Sequence, residues 1–292
     1  MGNNVKLVTE RPLEHLNLLD DFLMYSVASS SKYGAPFCRE MLHTILDREL
    51  SDVTIVAQKV YYGSNPEKHG TRLDVYVEEH EDGTQTGAIY DIEPENGDGK
   101  KEELPKRVRF YHSKIDVNVF GSGEDYKDLQ QVYVIFITSF DPFDRNRMVY
   151  TVKNGCVEEP DMPYEDGART IYLYTRGTEG NPKQELRELL HFIEETNAVN
   201  ASNRQLKTMQ DMVEDVKTDK EVNLMYLKIK EREAEIRKEV AEEKDAVIQQ
   251  LEEEKCEAER QKQELEEEKR ETEQEKQKLE EELCRLKEKY EK

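Results

Sequence analysis

Two alternating segments joined by an Asp-Gly turn, with a basic amphipathic segment directly behind them, constrain this chain more than any other stretch. Arg72-Leu-Asp74-Val-Tyr-Val77 places Leu73, Val75 and Val77 opposite Asp74, the period of two of a half-buried strand. After Asp82-Gly83, Ile89, Asp91, Glu93 and Glu95 share one face, and Ala88, Tyr90 and Ile92 the other. An Asp-Gly pair between two such runs signals a hairpin. The spacing therefore predicts adjacent strands, with Asp74 near Glu93 and Glu95 one pleat further along. Carboxylates brought together in this way make a hard-oxygen site for Mg²⁺ or Mn²⁺. A divalent ion so held activates water and stabilises charge on a phosphate, which is what phosphodiester hydrolysis requires.

The flanking sequence supplies elements to surround that hairpin. Segments 13–29 and 35–50 carry helical apolar spacing, through Leu16, Leu19, Phe22 and Leu23 and then Phe37, Met41 and Ile45. Strands are predicted over 53–62, 71–79 and 88–93. A helix follows over 102–119, with Val108, Tyr111, Ile115 and Val119 on one side. Segment 131–140 is a near-continuous apolar run, the pattern of a central buried strand, and 147–152 and 170–175 read as further strands. A helix over 182–196 presents Leu186, Leu189, Leu190 and Ile193, a polar break occupies 197–203, and another helix covers 205–216. The chain thus divides into an α/β body over 1–200 and a helical extension over 201–292.

From about residue 219 the extension contains neither Pro nor Gly. Leu251, Ala258, Leu265, Thr272, Leu279 and Leu286 recur every seven residues, but Lys255, Lys262, Lys269 and Lys276 fill the companion seam until Leu283 and Tyr290. A good coiled coil wants both seams apolar, whereas Glu three or four residues from Lys or Arg supports an isolated helix. Two states stay open: a weak coiled coil that assembles a homo-oligomer, paired best over 279–290, and a single charged helix.

Further motifs accompany the carboxylates. They are Asp20-Asp-Phe22, Leu104-Pro-Lys-Arg-Val-Arg-Phe-Tyr-His-Ser-Lys-Ile-Asp116, Gly123-Glu-Asp-Tyr-Lys-Asp-Leu129, Val132-Tyr-Val-Ile-Phe-Ile137 and Phe140-Asp-Pro-Phe143. With Asp74 and Glu93 they make roughly the first two hundred residues resemble the PD-(D/E)XK nuclease superfamily. Within it the likeness is to the PD-(D/E)XK nuclease family transposases, also called recombination-promoting nucleases. The resemblance implies an α/β restriction-endonuclease-like core of order αβββαβ, followed here by the long charged C-terminal helix. It implies DNA as substrate, Mg²⁺ or Mn²⁺ as cofactor, Asp74 and Glu93 as metal ligands, and Asp74, Glu93 and Glu95 as the catalytic set. Asp21, Asp91 and His112 are accessory candidates. Lys106, Arg107 and Arg109 flank the carboxylates and are expected to touch phosphate; pairing of the arginines with body carboxylates such as Glu102 or Glu103 is the alternative.

Three residues depart from the family pattern. Glu95 stands where Gln or Lys is usual, and His112 where Gln is common. Pro94 removes a ladder donor and fits only an edge, a bulge or a strand end. Two functions are therefore carried forward. One is a metal-dependent DNA endonuclease of a transposase or recombination-associated type. The other is a catalytically degenerate nuclease-fold protein acting by nucleic-acid or protein binding, with a coiled-coil assembly tail.

Charge bounds the first of these. The net charge is −22, and residues 1–225 alone hold 26 Lys and Arg against 41 Asp and Glu. An acidic body argues against tight, non-specific DNA binding over a broad surface. The dense basic cluster of the body is Lys100, Lys101, Lys106, Arg107, Arg109 and Lys114. Cys38, Cys156, Cys256 and Cys284 never fall in a Cys-x-x-Cys spacing, so isolated reduced thiols are expected. Without a run of eighteen apolar residues or a secretory leader, the expected location is cytoplasmic, away from membranes.

Overall fold

The computed structural model describes residues 11–62, 70–81, 85–97 and 101–290, the side chains of 81, 85, 86 and 287–290 excepted. The Asp82-Gly83 turn and Lys100 lie outside the described residues. Helices α1 (Asp21–Ala28) and α2 (Gly34–Leu46) precede strands β1 (Asp52–Tyr61), β2 (Thr71–Glu81) and β3 (Gln85–Glu95). Helix α3 (Leu104–Val119) leads to β4 (Gln131–Thr138), β5 (Val149–Val152) and β6 (Ala168–Tyr174). Helices α4 (Gln184–Glu194), α5 (Arg204–Thr218) and α6 (Lys220–Tyr290) complete the chain. The six strands form one mixed sheet ordered β1-β2-β3-β4-β6-β5. β1, β2 and β3 are antiparallel neighbours, β4 is parallel to both β3 and β6, and β5 runs antiparallel to β6.

Alternation along the strands builds two cores. Val75, Val77, Tyr90, Ile92, Ile135 and Ile137 pack under α1, α2, α4 and α5. The other face carries Tyr76, Ile89, Val134, Phe136 and Tyr172 against Leu104, Val108, Tyr111 and Ile115 of α3. The four α3 residues recur at helical spacing and Pro105 sits in the first turn, where its missing N–H costs nothing. α3 is also the crossover that lets β3 and β4 run parallel. Leu73, expected beside Val75 and Val77, packs instead with the α3-side cluster.

The first helix starts later than its apolar spacing suggests. Leu13–His15 is a single 3-10 turn, and α1 begins only at Asp21. Asp20 breaks the run by accepting from the Asn17 N–H at 2.8 Å and pairing with Arg11 at 2.7 and 2.8 Å. At the other end of the pair, Asp47 takes a left-handed conformation (φ 56°) and stops α2 at Leu46.

A larger difference concerns where the body ends. The polar stretch expected to close it is a tight connection: Asn197 Oδ1 accepts from Val199 and Asn200 N–H, and Asn203 Oδ1 caps α5 through the Leu206 N–H at 2.9 Å. α5 then buries Leu206, Met209, Val213 and Val216, and the first turns of α6 bury Tyr226. The chain accordingly forms two compact units, Met1–Lys230 and Glu231–Lys292.

A polar network ties the α2–β1 connection to the sheet. Arg48 donates to both Glu79 oxygens (2.9 and 2.5 Å), Ser51 N–H donates to Glu79 at 2.9 Å, and the Tyr90 hydroxyl donates to it at 2.5 Å. Burial alone would raise the Glu79 pKa, but the Arg48, Tyr90 and Ser51 hydrogen bonds overcome it and lower it to about 2. A depressed carboxylate stabilises the fold fully above its unfolded pKa of about 4.3, and that contribution is lost as pH falls toward the folded value. Glu79→Gln should therefore cost about 1–3 kcal/mol at neutral pH and remove this residue's share of the acid sensitivity, so that the variant loses less stability than wild type as pH falls. Urea melts of both proteins at neutral pH and near pH 3 check this; parallel pH profiles would contradict it.

Candidate metal centre

The sheet opens between β2 and β3 where the carboxylates lie. The β2–β3 ladder runs from Glu81↔Gln85 to Val75↔Ile92 and stops there, while β3 continues beside β4 through Glu93↔Phe136, Pro94↔Ile137 and Glu95↔Thr138. Pro94 thus falls at a strand end beyond the last β2 pair, where a missing N–H breaks no antiparallel bond. Asp74, the next residue on β2, satisfies its own N–H with the Glu93 side chain, at 2.9 Å to Oε1. The predicted proximity of Asp74 and Glu93 is the observed one.

Asp91, Glu93 and Glu95 point to the α3 side and are nearly inaccessible, at 0%, 2% and 6% exposure. Both Asp91 oxygens are buried away from every N–H donor, and their one polar neighbour at hydrogen-bonding range is the Glu93 carboxyl, which can be joined to Asp91 only by a shared proton or cation. Burial and the Asp74 charge push the Asp91 pKa well up, with a hydrogen bond to Glu93 and the Arg107 charge opposing. Burial, Asp74 and Asp91 likewise raise Glu93, against the Asp74 N–H and Arg107. A buried carboxylate among other carboxylates is costly unless the pair shares a proton or a cation joins it. Asp91 is therefore more central than its sequence position suggested; no residue pattern distinguishes a carboxylate that lacks an N–H donor from one on the same strand face that has one.

Arg107 is the cation that the fold itself brings in. Its Nη2 lies 2.6 Å from Glu95 Oε2 and 3.7 Å from Glu93 Oε2. The guanidinium sits over the rings of Phe136 (4.8 Å) and Tyr111 (5.7 Å). The expected phosphate contact through Arg107 is thus replaced by an inward ion pair, made to the strand carboxylates and not to Glu102 or Glu103. Lys106 and Arg109 are exposed on the same helix.

Beyond Glu95 the chain is fastened to the end of β4. Ser139 N–H donates to the Glu95 carbonyl (3.2 Å), Gly97 N–H donates to Ser139 Oγ (2.9 Å), and Ser139 Oγ donates to Asn96 (3.1 Å). Gly97 adopts φ +112°, which a side chain would resist. Lys101 then reaches Asp144 at 2.6 and 2.8 Å. Sequence spacing gave no sign of this latch, because its partners come from two distant loops.

The accessory candidates separate. His112 pairs its Nε2 with Thr170 Oγ1 at 3.1 Å on β6, and burial lowers its pKa. Asp21 opens α1, whose apolar side packs on the opposite face of the sheet from the carboxylates. Among the described residues no three His, Cys, Asp or Glu side chains stand in an arrangement that could hold a metal ion. Glu93 is turned to the Asp74 N–H and Glu95 to Arg107. The donor chemistry nevertheless fits a hard divalent cation, since Asp74, Asp91 and Glu93 are carboxylates in charge contact and Asp91 and Glu93 are buried without an opposing cation as close as the one on Glu95.

All four cysteines are free thiols, and burial pushes the Cys38 thiol up to about 12. Among the described residues no helix is long and apolar enough to cross a membrane. No protein-family model matches the chain, and comparison with curated proteins and with solved structures finds no match.

Proposed function

We propose that this chain is a metal-dependent DNA endonuclease on a PD-(D/E)XK-like core, of the transposase or recombination-associated type. One observation carries the reading: the buried Asp91 carboxylate, without an N–H donor and set against Asp74 and Glu93 at the point where β2 leaves β3. Element order supports it too, since α2, β1, β2, β3, α3 and β4 follow the αβββαβ sequence. Asp74, Asp91 and Glu93 would hold Mg²⁺ or Mn²⁺, which when bound supplies an acidified water and positive charge at the scissile phosphate. Glu95, steadied by Arg107, accepts a proton from the attacking water. Lys106 and Arg109 on the exposed side of α3 take the neighbouring phosphates. Incubating supercoiled plasmid with the full chain in Mg²⁺, Mn²⁺ or EDTA tests this. Nicking confined to the metal samples is expected, and intact plasmid throughout would reject it.

A second reading, a catalytically degenerate nuclease fold that works by binding, draws on Arg107. That guanidinium already neutralises Glu95 and approaches Glu93, so the acidic pair has a built-in counter-ion. If that binding is to nucleic acid and not to protein, the exposed cations of α3 are the DNA contacts under both readings. Lys106→Ala with Arg109→Ala should flatten the salt dependence of DNA binding by roughly two in the log–log slope. Arg107→Ala should leave that slope unchanged, because its charge is spent on Glu95. Fluorescence anisotropy over a salt series decides between them, and an unaltered slope in the double variant would remove α3 from the DNA interface.

A further inference from the structure

The second compact unit, Glu231–Lys292, is a single helix whose described residues are all exposed from Arg237 to Leu286. Leu265, Leu279 and Leu283 are 57%, 66% and 56% exposed. Steps of three and four residues alternate between two stripes. One is Leu251, Ala258, Leu265, Thr272, Leu279 and Leu286; the other is Ile248, Lys255, Lys262, Lys269, Lys276 and Leu283. In a heptad these are the d and a positions, with a lysine at four successive a positions.

The flanks of the seam identify its occupant. Glu252, Glu259, Glu266, Glu273 and Glu280 line one side; Glu254, Gln261, Glu268, Glu275 and Glu282 line the other. Neither flank carries a basic residue over this span. Flank residues meet flank residues when two helices pair, so a second copy would set Glu against Glu along the seam in either orientation, except at Gln261. Like charges so placed oppose self-pairing, and lysine at four successive a positions leaves only the d stripe to drive it. In a parallel pair the lysine stripe would meet lysines as well, and in an antiparallel pair it would face the leucine stripe. A helix with Lys or Arg on its flanks, Asp or Glu at its a positions and Leu at d satisfies all three requirements together. Internal pairing is a weak competitor, since the stripe lysine that does pair, Lys262 with Glu266 at 4.0 Å, is a largely exposed contact of little worth.

We infer that residues 248–286 are a docking surface for a basic amphipathic partner helix, and that their acidic flanks act to prevent self-association. This stands independently of the nuclease reading.

The test uses the full chain. Sedimentation velocity at micromolar concentration should show a monomer. Isothermal titration then compares three synthetic peptides of equal length: heptads with Leu at d, Glu at a and Lys on both flanks; the same composition scrambled; and a copy of residues 248–286. The heptad peptide should bind about a hundredfold more tightly than the copy, the scrambled peptide should bind weakly, and Leu265→Glu with Leu279→Glu should abolish the difference. Equal binding of the scrambled peptide would reduce the effect to plain charge attraction and overturn the proposal. A dimer lost on these two substitutions would overturn it in favour of self-pairing, and failure of the heptad peptide to bind would leave a lone charged helix.

Discussion

Cutting the chain after residue 200 should abolish cooperative melting, whereas cutting it after Lys230 should move the midpoint by no more than a few degrees. Residues 201–230 carry Leu206, Met209, Val213, Val216 and Tyr226, none more than 4% exposed and all within the larger core. The Tyr226 ring packs 4.9 Å from Phe22, and its hydroxyl donates to the Arg11 carbonyl at 2.6 Å. Lys217 Nζ donates to the Glu14 carbonyl at 3.0 Å. Losing one large buried apolar side chain costs about 2–5 kcal/mol, so losing five exceeds the roughly 5–15 kcal/mol that holds a domain together. Circular dichroism melts of both truncations measure this. A cooperative transition in the shorter chain near that of the whole protein would mean that α5 and the start of α6 are dispensable.

Asp74→Ala and Glu93→Ala should each lower the rate of metal-dependent plasmid cleavage by at least about a thousandfold, comparable to removing a principal charge-stabilising group from an active site. Glu93→Ala does additional damage by taking away the acceptor of the Asp74 N–H. DNA affinity should change little in either variant, since the proposed phosphate contacts, Lys106 and Arg109, belong to a different element. Single-turnover nicking and anisotropy on the same preparations separate the two effects. Cleavage at the wild-type rate in Asp74→Ala would assign the activity to other residues or to a contaminant.

The strand register was the most legible part of the molecule. A period of two leaves one way to bury Val75, Val77, Tyr90 and Ile92 together, and that choice carries Asp74 to Glu93. What could not be read depends on contacts between distant segments. Pro94 looks disruptive in isolation and is harmless only because β2 has already parted from β3. Arg107 resembles its neighbours Lys106 and Arg109 in sequence, yet its place on the inner side of α3, over Phe136, turns it toward Glu95. The end of the body was hidden for another reason. Polar residues 197–203 have the composition of a linker, but their side chains cap a turn that returns α5 to the core.

Manganese uptake by the chain, followed by calorimetric titration in the absence of DNA, tests the carboxylate centre most directly. Wild type should bind Mn²⁺ at a site that Asp91→Asn weakens and Asp74→Ala with Glu93→Ala removes, with magnesium competing for it. Absence of binding, or binding of equal strength in all three proteins, would show that Asp74, Asp91 and Glu93 are not a metal centre.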